Sequence, residues 1–580
     1  MMAVAASDRS GSGRLAGKML VLGLAVILIV LIVLPIGVLL LGSFLSEPPR
    51  ALQFNWSGFT LLNYVAVLTD ADFLPLLFTT IGVALVGTVG ALIIGTGLAW
   101  LAVRTDVPGQ RVIEAVAVMP MFVPPLVGAF AWDILGSPRS GIINIFLRAA
   151  GLPPFVNIYS FYGVGFVFAI YYAPYVYLFV ASALRNMDAS LEEASAMSGA
   201  GRLRTVLRIT LPLISPALMS AGLLVFVLLI ELFSIPAVLG EPGNVHVVSV
   251  QIWALIGFTP PKVNQASALG VLLLAVTITL VLIQNRILAK RSFVTVAGKG
   301  LKPKRIELGG ARLPFAAAGF LYLVVVVFLP YAALIFIALR KSLFYSSVTA
   351  MANPSQFSTD QFAAAFGNPV VWQSFTNSLI VSFVTVILGG ILYFAVAYIV
   401  HRTQLAGRRA LDVITVLPIA IPGLIIGLGY LWAWISLPVG LYGTLWIIIF
   451  AYVSQFSPQG VRTIASSLMQ IHKELEEGSR VCGAGFFYTL RRVVIPLAWP
   501  GILASMTLLL VLSFRELATA LFLYTSTTQV FSLTMFDYWL RGSTSLVAVM
   551  ALVQTAVLLI FVVAGQSVRR ERTAYALPSS

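Results

Sequence analysis

Residues 188–212 read DASLEEASAMSGAGRLRTVLRITLP, and residues 472–496 read HKELEEGSRVCGAGFFYTLRRVVIP. Set 284 residues apart (472 − 188), they place Glu192 opposite Glu476, Glu193 opposite Glu477, Gly199 opposite Gly483 and Pro212 opposite Pro496. Each is a polar island between apolar runs. In the first, Ser190 can cap a short helix whose first turn carries Glu192 and Glu193, which is favourable beside the positive helix N-terminus. Gly199 and Gly483 supply a C-cap or turn without a Cβ penalty, and Pro212 and Pro496 mark where a new helix begins. One such segment reads as an amphipathic connector. Two at matched places read as a duplicated element.

Outward from these islands the chain is apolar. Of 580 residues, 59% are hydrophobic and 10% charged, which excludes an ordinary soluble domain. Lipid cannot satisfy backbone N–H and C=O groups, and the unbroken runs select helices over a barrel. Spans are expected near 19–41, 74–102, 112–136, 160–184, 213–239 and 266–288, then near 314–339, 372–400, 410–435, 442–462, 498–524 and 544–566. Met19–Leu41 is too long for a signal-peptide core, so it reads as an uncleaved first span. The net charge of +15 sits in short clusters between spans, among them Arg202, Arg204 and Arg208, and Arg402, Arg408 and Arg409. That pattern orients a membrane protein with both termini cytoplasmic and gives no reason to invoke nucleic acid. Residues 291–312, basic and glycine-rich, read as a cytoplasmic linker between a first half (1–290) and a second (313–580).

The halves repeat well beyond the two islands. Arg104-Thr105 answers Arg402-Thr403, and Pro120 and Pro124 answer Pro418 and Pro422, all 298 residues apart (402 − 104). Glu231 answers Glu516 at 285 (516 − 231), so the first half carries extra residues, placed in the loop from Gly136 to Tyr159. Six spans per half is an even number, which makes the repeats parallel, with a path between them. The expected fold is therefore an all-α membrane protein of about twelve transmembrane helices in two parallel six-helix repeats.

The pattern Glu-Glu-Ala, then Gly199, then nine residues to Ile209-Thr-Leu211-Pro212 resembles the EAA signature of ABC importer permeases of type I. The resemblance implies coupling segments, at about 186–212 and 470–496, that dock on ATP-binding subunits. Carried over, Glu192, Glu193, Ala194, Gly199, Leu211 and Pro212, with Glu476, Glu477, Gly478, Gly483 and Pro496, form the two docking elements. The second copy departs from the pattern: Gly478 and Ser479 replace the alanines, and Val493 and Ile495 replace Ile and Leu. Tyr171–Tyr177 and Ser513–Leu517 are similar to fused permeases of the ferric-iron uptake branch. Ferric iron is thus the first expected cargo, with thiamine, polyamine and aminoethylphosphonate carried by related branches.

Charges within spans cost at least ~2.5–3.5 kcal/mol at the centre, so Glu231, Arg515 and Glu516 should face a path or one another. They are candidates for the translocation path or gate, against the alternative of a structural ion pair. Prolines 120, 124, 125, 418 and 422 kink the third span of each half; the plainer reading is proline tolerated within a helix, the functional one a hinge or an irregular cavity-lining segment. Asp133 reads as a solvated helix end. His246, His401 and His472 are scattered without metal-ligand spacing, and the lone Cys482 excludes an intrachain disulfide.

No G-x-x-x-x-G-K-[ST] loop occurs; Gly298-Lys299-Gly300 lacks the spacing. No catalytic grouping or metal site stands out, so no cofactor is expected on this chain. ATP and Mg belong on a partner, two copies of a nucleotide-binding ATPase subunit, with a periplasmic substrate-binding protein as a further partner. The expected location is the bacterial inner membrane, multi-pass. An ion-gradient-driven secondary transporter shares the span count, but has no need of two matched docking segments and should carry more intramembrane carboxylates.

Overall fold

The computed structural model describes residues 11–575 apart from Pro49, 51–57, Ala189, 291–304, Phe344 and Ser346; the side chains of 11–16, Glu193, Ala196, Arg202, Leu203, 288–290 and 568–575 also lie outside the description. Most of the expected linker, 291–304, therefore falls outside the described residues. Among those described, nine helices are long and apolar enough to cross a bilayer: Gly17–Ser43, Phe73–Arg104, Phe161–Asn186, Val206–Glu231, Val263–Ile287, Gly309–Ala338, Pro369–Arg402, Phe486–Arg515 and Thr544–Ser567. Two bent pairs raise the count to eleven. Leu445–Gln455 followed by Ser457–Gln470 stands where the first half has Phe161–Asn186, and completes twelve positions. The fifth spans begin and stop earlier than expected, ending at Glu231 and Arg515, so the stretches 232–239 and 516–524 lie beyond them.

The third spans are not kinked helices but broken ones, which corrects the plainer proline reading. Gln110–Phe122 meets Pro125–Gly136 at 99°, and Arg408–Ala420 meets Gly423–Ser436 at 111°. Proline disfavours helical geometry in the residue before it. Val123 (ψ 122°) and Ile421 (ψ 113°) are accordingly extended, each just ahead of Pro124 or Pro422. Elsewhere proline is absorbed without a break. Widened π-turns at Ile29–Val33, Val206–Thr210, Val324–Phe328 and Leu490–Val494 lie directly before the helices that carry Pro35, Pro212, Pro330 and Pro496 as their second residue. The wider turn relieves the clash of the proline ring with the preceding turn, and proline has no N–H to leave unbonded.

The halves interlock. The first span packs on the second half, where Tyr430 Oη donates to the Leu31 carbonyl at 2.6 Å and Gly429 admits the Pro35 backbone at a distance no side chain would allow. Gly309–Ala338 packs reciprocally on the first half, with Tyr322 Oη donating to Ile170 O at 2.8 Å. The chain that leads into this helix is pinned as well. Ile306 N donates to Arg104 O at 2.8 Å, and Arg312 Nε to Asp106 Oδ2 at 2.7 Å. These bonds from Arg312, with the Leu308 N–H, hold the Asp106 carboxyl below the usual carboxylate range.

Candidate functional site

The two islands fold as short helices, Ser190–Met197 and Lys473–Val481, each following the fourth membrane helix of its half. At the start of the first, Asp188 engages Ser190, the expected cap. Asp188 Oδ1 accepts the Ser190 N–H at 2.9 Å, and this bond, with one from the Ser190 side chain, lowers the Asp188 carboxyl. Both helices end on a left-handed glycine, Gly199 at φ 77° and Gly483 at φ 86°. The next N–H returns to the helix in both copies, Ala200 N to Ser195 O and Ala484 N to Ser479 O, each at 3.1 Å, the closure expected of a glycine C-cap.

Within each pair of acidic residues one is turned inward. Glu192 Oε2 accepts from Arg104 Nη2 at 2.6 Å, and its Oε1 from Thr210 Oγ1 at 2.6 Å. Glu476 Oε1 accepts from Arg402 Nε at 2.8 Å and Nη2 at 2.5 Å, while Tyr398 Oη donates to its Oε2 at 3.2 Å. Arg104 and Arg402 end the second spans, so a buried ion pair joins each short helix to a membrane helix. A second tie is also duplicated: Ser195 with Thr205 at 2.8 Å, and Ser479 with Thr489 at 2.9 Å. It fastens the short helix to the residues that lead into the fifth span.

Most of the remaining predicted positions are exposed. Ala194, Glu477, Gly478, Gly199 and Gly483 are exposed, as are Pro212 and Pro496, which start the fifth-span helices; Leu211 is half-buried, and the Glu193 side chain lies outside the described residues. Large apolar side chains stand beside them, with Met197 at 90%, Val481 at 78% and Phe487 at 81% exposure. Sequence reasoning used Arg104 and Arg402 as repeat markers and as cytoplasmic-side charges, and missed their pairing with the glutamates. The available signal was an arginine closing a membrane helix in each half.

The intramembrane charges lie where the fifth spans stop. Glu231 is the last residue of its helix, and its Oε2 is buried with no hydrogen-bond partner. Glu516 follows Arg515 and its Oε1 accepts the Thr519 N–H at 3.1 Å. Arg515 Nη1 reaches across to the Met121 carbonyl, at 2.7 Å, in the broken third span of the other half. Tyr172 is within electrostatic reach of all three. Among the described residues no ion pair joins Arg515 to either glutamate, so the structural-ion-pair alternative finds no contact here. Asp133 is not a solvated end: Tyr159 Oη donates to it, and Trp539 Nε1 of the other half does so at 3.3 Å. Among the described residues no three His, Cys, Asp or Glu side chains come together as a metal cage.

Two interlocked repeats of membrane helices, each bearing a short helix tied into its second and fifth spans, define a multi-pass transport component. The chain belongs to the family of binding-protein-dependent transport system inner membrane components, whose pattern matches residues 87–294 and 396–571, once in each half. It is 29% identical over 506 residues to the putative ferric transport system permease protein FbpB 1 of Haemophilus influenzae, covering 85% of this chain and 78% of that protein. It is also 29% identical to the ferric transport system permease protein FbpB of Actinobacillus pleuropneumoniae, covering 77% of this chain and 64% of that one. Among solved structures, the bacterial alginate ABC transporter in complex with a pentasaccharide-bound periplasmic protein aligns with TM-score 0.36 and 19% identity, over 41% of this chain and 85% of that chain.

Proposed function

We propose that this chain is the permease of an ATP-driven importer of ferric iron in a bacterial inner membrane, with both termini cytoplasmic. The observation that carries the reading is the duplicated short helix. Each copy presents exposed apolar groups outward, Met197 in the first and Val481 in the second, while a glutamate ties its inner side to a membrane helix. ATP and Mg sit on a separate nucleotide-binding subunit, two copies of which dock, one on each short helix. Closure of those subunits moves the short helices. The Arg104–Glu192 and Arg402–Glu476 pairs pass that motion to the second spans, and the hydroxyl pairs pass it to the fifth. The residues around Glu192, Ala194, Gly199, Leu211 and Pro212, and their partners at 476–483 and 496, thus act as levers, with Glu192 and Glu476 as their fastenings.

A periplasmic binding protein hands over the cargo on the opposite face. Ferric iron is favoured by the names of the most similar relatives. Carboxylate oxygens suit a hard cation, and Glu231 and Glu516 supply one from each half beside Arg515 on the path. The test is reconstitution with the ATPase and binding protein encoded in the same genome. Radioiron uptake and iron-dependent ATP hydrolysis are expected. If only thiamine, a polyamine or aminoethylphosphonate stimulates hydrolysis, the cargo assignment is wrong; failure to associate with any ATPase removes the importer reading.

A further inference from the structure

On the face opposite the short helices, the two halves treat the same place differently. In both, a hydroxyl in the second span receives the N–H that opens the helix before the sixth span. Thr80 Oγ1 accepts from Val248 N at 3.0 Å, and Ser378 Oγ accepts from Phe531 N at 2.7 Å. In this register Asn377 stands where the first half has Thr79, Gln373 where it has Pro75, and Thr527 and Gln529 where it has Asn244 and His246.

In the second half these longer amides bridge to the facing loop backbone. Asn377 Nδ2 donates to Thr527 O at 3.0 Å and Gln529 O at 2.9 Å, and Gln373 Nε2 to Thr527 O at 3.2 Å. Thr79 and Pro75 offer no such donors, and a cavity of about 390 Å³ opens instead, with Asp70, Asp72, Asn244, His246, Gln251 and Gln265 among its lining. Asp70 and Asp72 are exposed. Asp70 Oδ1 takes the Asp72 N–H at 2.9 Å, and among the described residues no basic side chain pairs with either carboxylate. His246 is engaged by Glu241 at 3.4 Å.

We propose that this cavity is a one-sided socket for a lysine or arginine side chain of the substrate-binding protein; the inference rests on the importer reading above. Its volume equals roughly thirteen waters at ~30 Å³ each, more than a lone ion needs and enough for a long side chain. The exposed Asp70 and Asp72 supply the charge, and the half-buried Thr79, Gln251 and Gln265 supply acceptors for the ammonium or guanidinium hydrogens. A monomeric partner landing on a pseudo-two-fold surface would otherwise have two equivalent orientations. Bridging this place with amides in one half and leaving it unbridged in the other removes that degeneracy, by obstruction as well as by attraction.

The test measures binding of the substrate-loaded binding protein from the same genome to the nanodisc-embedded permease–ATPase complex. Asp70→Asn with Asp72→Asn should weaken binding about tenfold at low salt, with the difference shrinking as salt rises, as for rim charges. Pro75→Gln with Thr79→Asn, which copies the amides of the second half, should weaken it about a hundredfold at every salt concentration, with ATP hydrolysis in the absence of binding protein unchanged. Replacing one partner lysine or arginine by glutamate should reproduce the first loss, and Asp72→Lys should rescue it. Wild-type affinity in both double variants overturns the socket, as does lost uptake with unaltered binding. If the wild-type complex binds no such protein, the importer reading itself falls, and the socket with it.

Discussion

The two glutamate fastenings are built unequally, and the difference can be measured. Arg402 uses three nitrogens: Nε and Nη2 on Glu476, and Nη1 on the Ile471 carbonyl at 2.8 Å. Arg104 uses Nη2 on Glu192, while its Nε and Nη1 are buried without partners. The side chains are 4% and 10% exposed in the second pair, 1% and 12% in the first, so solvent screens neither strongly. Removing one member of a buried pair costs about 3–5 kcal/mol, because the other charge is stranded. Arg402→Met should sit in that range. Arg104→Met forfeits fewer hydrogen bonds, while each glutamate keeps one hydroxyl, Thr210 on Glu192 and Tyr398 on Glu476. Two additional charge-assisted bonds at about 1.5 kcal/mol each make the second fastening stronger by about 3 kcal/mol, or roughly a hundredfold in local opening. Hydrogen–deuterium exchange in nanodiscs reads this directly. Protection over Lys473–Val481 should collapse in Arg402→Met by about a hundredfold more than protection over Ser190–Met197 does in Arg104→Met. Adding Glu476→Gln to Arg402→Met should recover part of it by removing the stranded charge. Equal losses in the two halves, or unchanged protection, would refute the reasoning.

Replacing Gly199 and Gly483 together by valine forces a β-branched residue into left-handed backbone at about 1–2 kcal/mol per site, and should uncouple ATP hydrolysis from uptake in proteoliposomes; normal coupling would argue against the lever role. Glu231→Gln should cut uptake at least tenfold while leaving the yield and melting temperature of the folded protein within error, and full uptake would remove it from the path. The Asp106–Arg312 contact should depend on pH with a definite sign. Because the folded carboxyl titrates below its unfolded value of about 4, the contact contributes fully above that value and is lost as pH falls through the depressed folded value. Exchange over 305–312 should therefore be flat from pH 8 to 5, after correction for intrinsic rates, and rise only in stronger acid; a transition near neutrality would contradict the assignment.

The parallel six-span repeat and the two short helices were legible because duplication converts weak local patterns into matched ones. Gly199 and Gly483 end their helices in left-handed backbone as their type and place imply. Contacts between distant segments were not legible. Arg104 and Glu192 are 88 residues apart, and hydropathy says that each needs a partner without saying which. The broken third spans fell between two readings, since one proline can be absorbed by a π-turn, as before Pro212, whereas Pro124-Pro125 and Pro422 follow residues driven into extended geometry. Asp133 was misread for a related reason: Tyr159 lies beyond the loop and Trp539 in the other half, so nothing local announced its partners.

The single cysteine gives the most direct test of the coupling claim. Cys482 is exposed at the C-cap of the second short helix, directly before Gly483. Its rate of maleimide labelling can be followed in the intact permease with and without the ATPase subunit, with no substitution needed. Docking on the short helices predicts ready labelling of the permease alone from the cytoplasmic side and at least tenfold slower labelling in the assembled complex. Labelling from the periplasmic side, or at the same rate in the complex, would contradict the account.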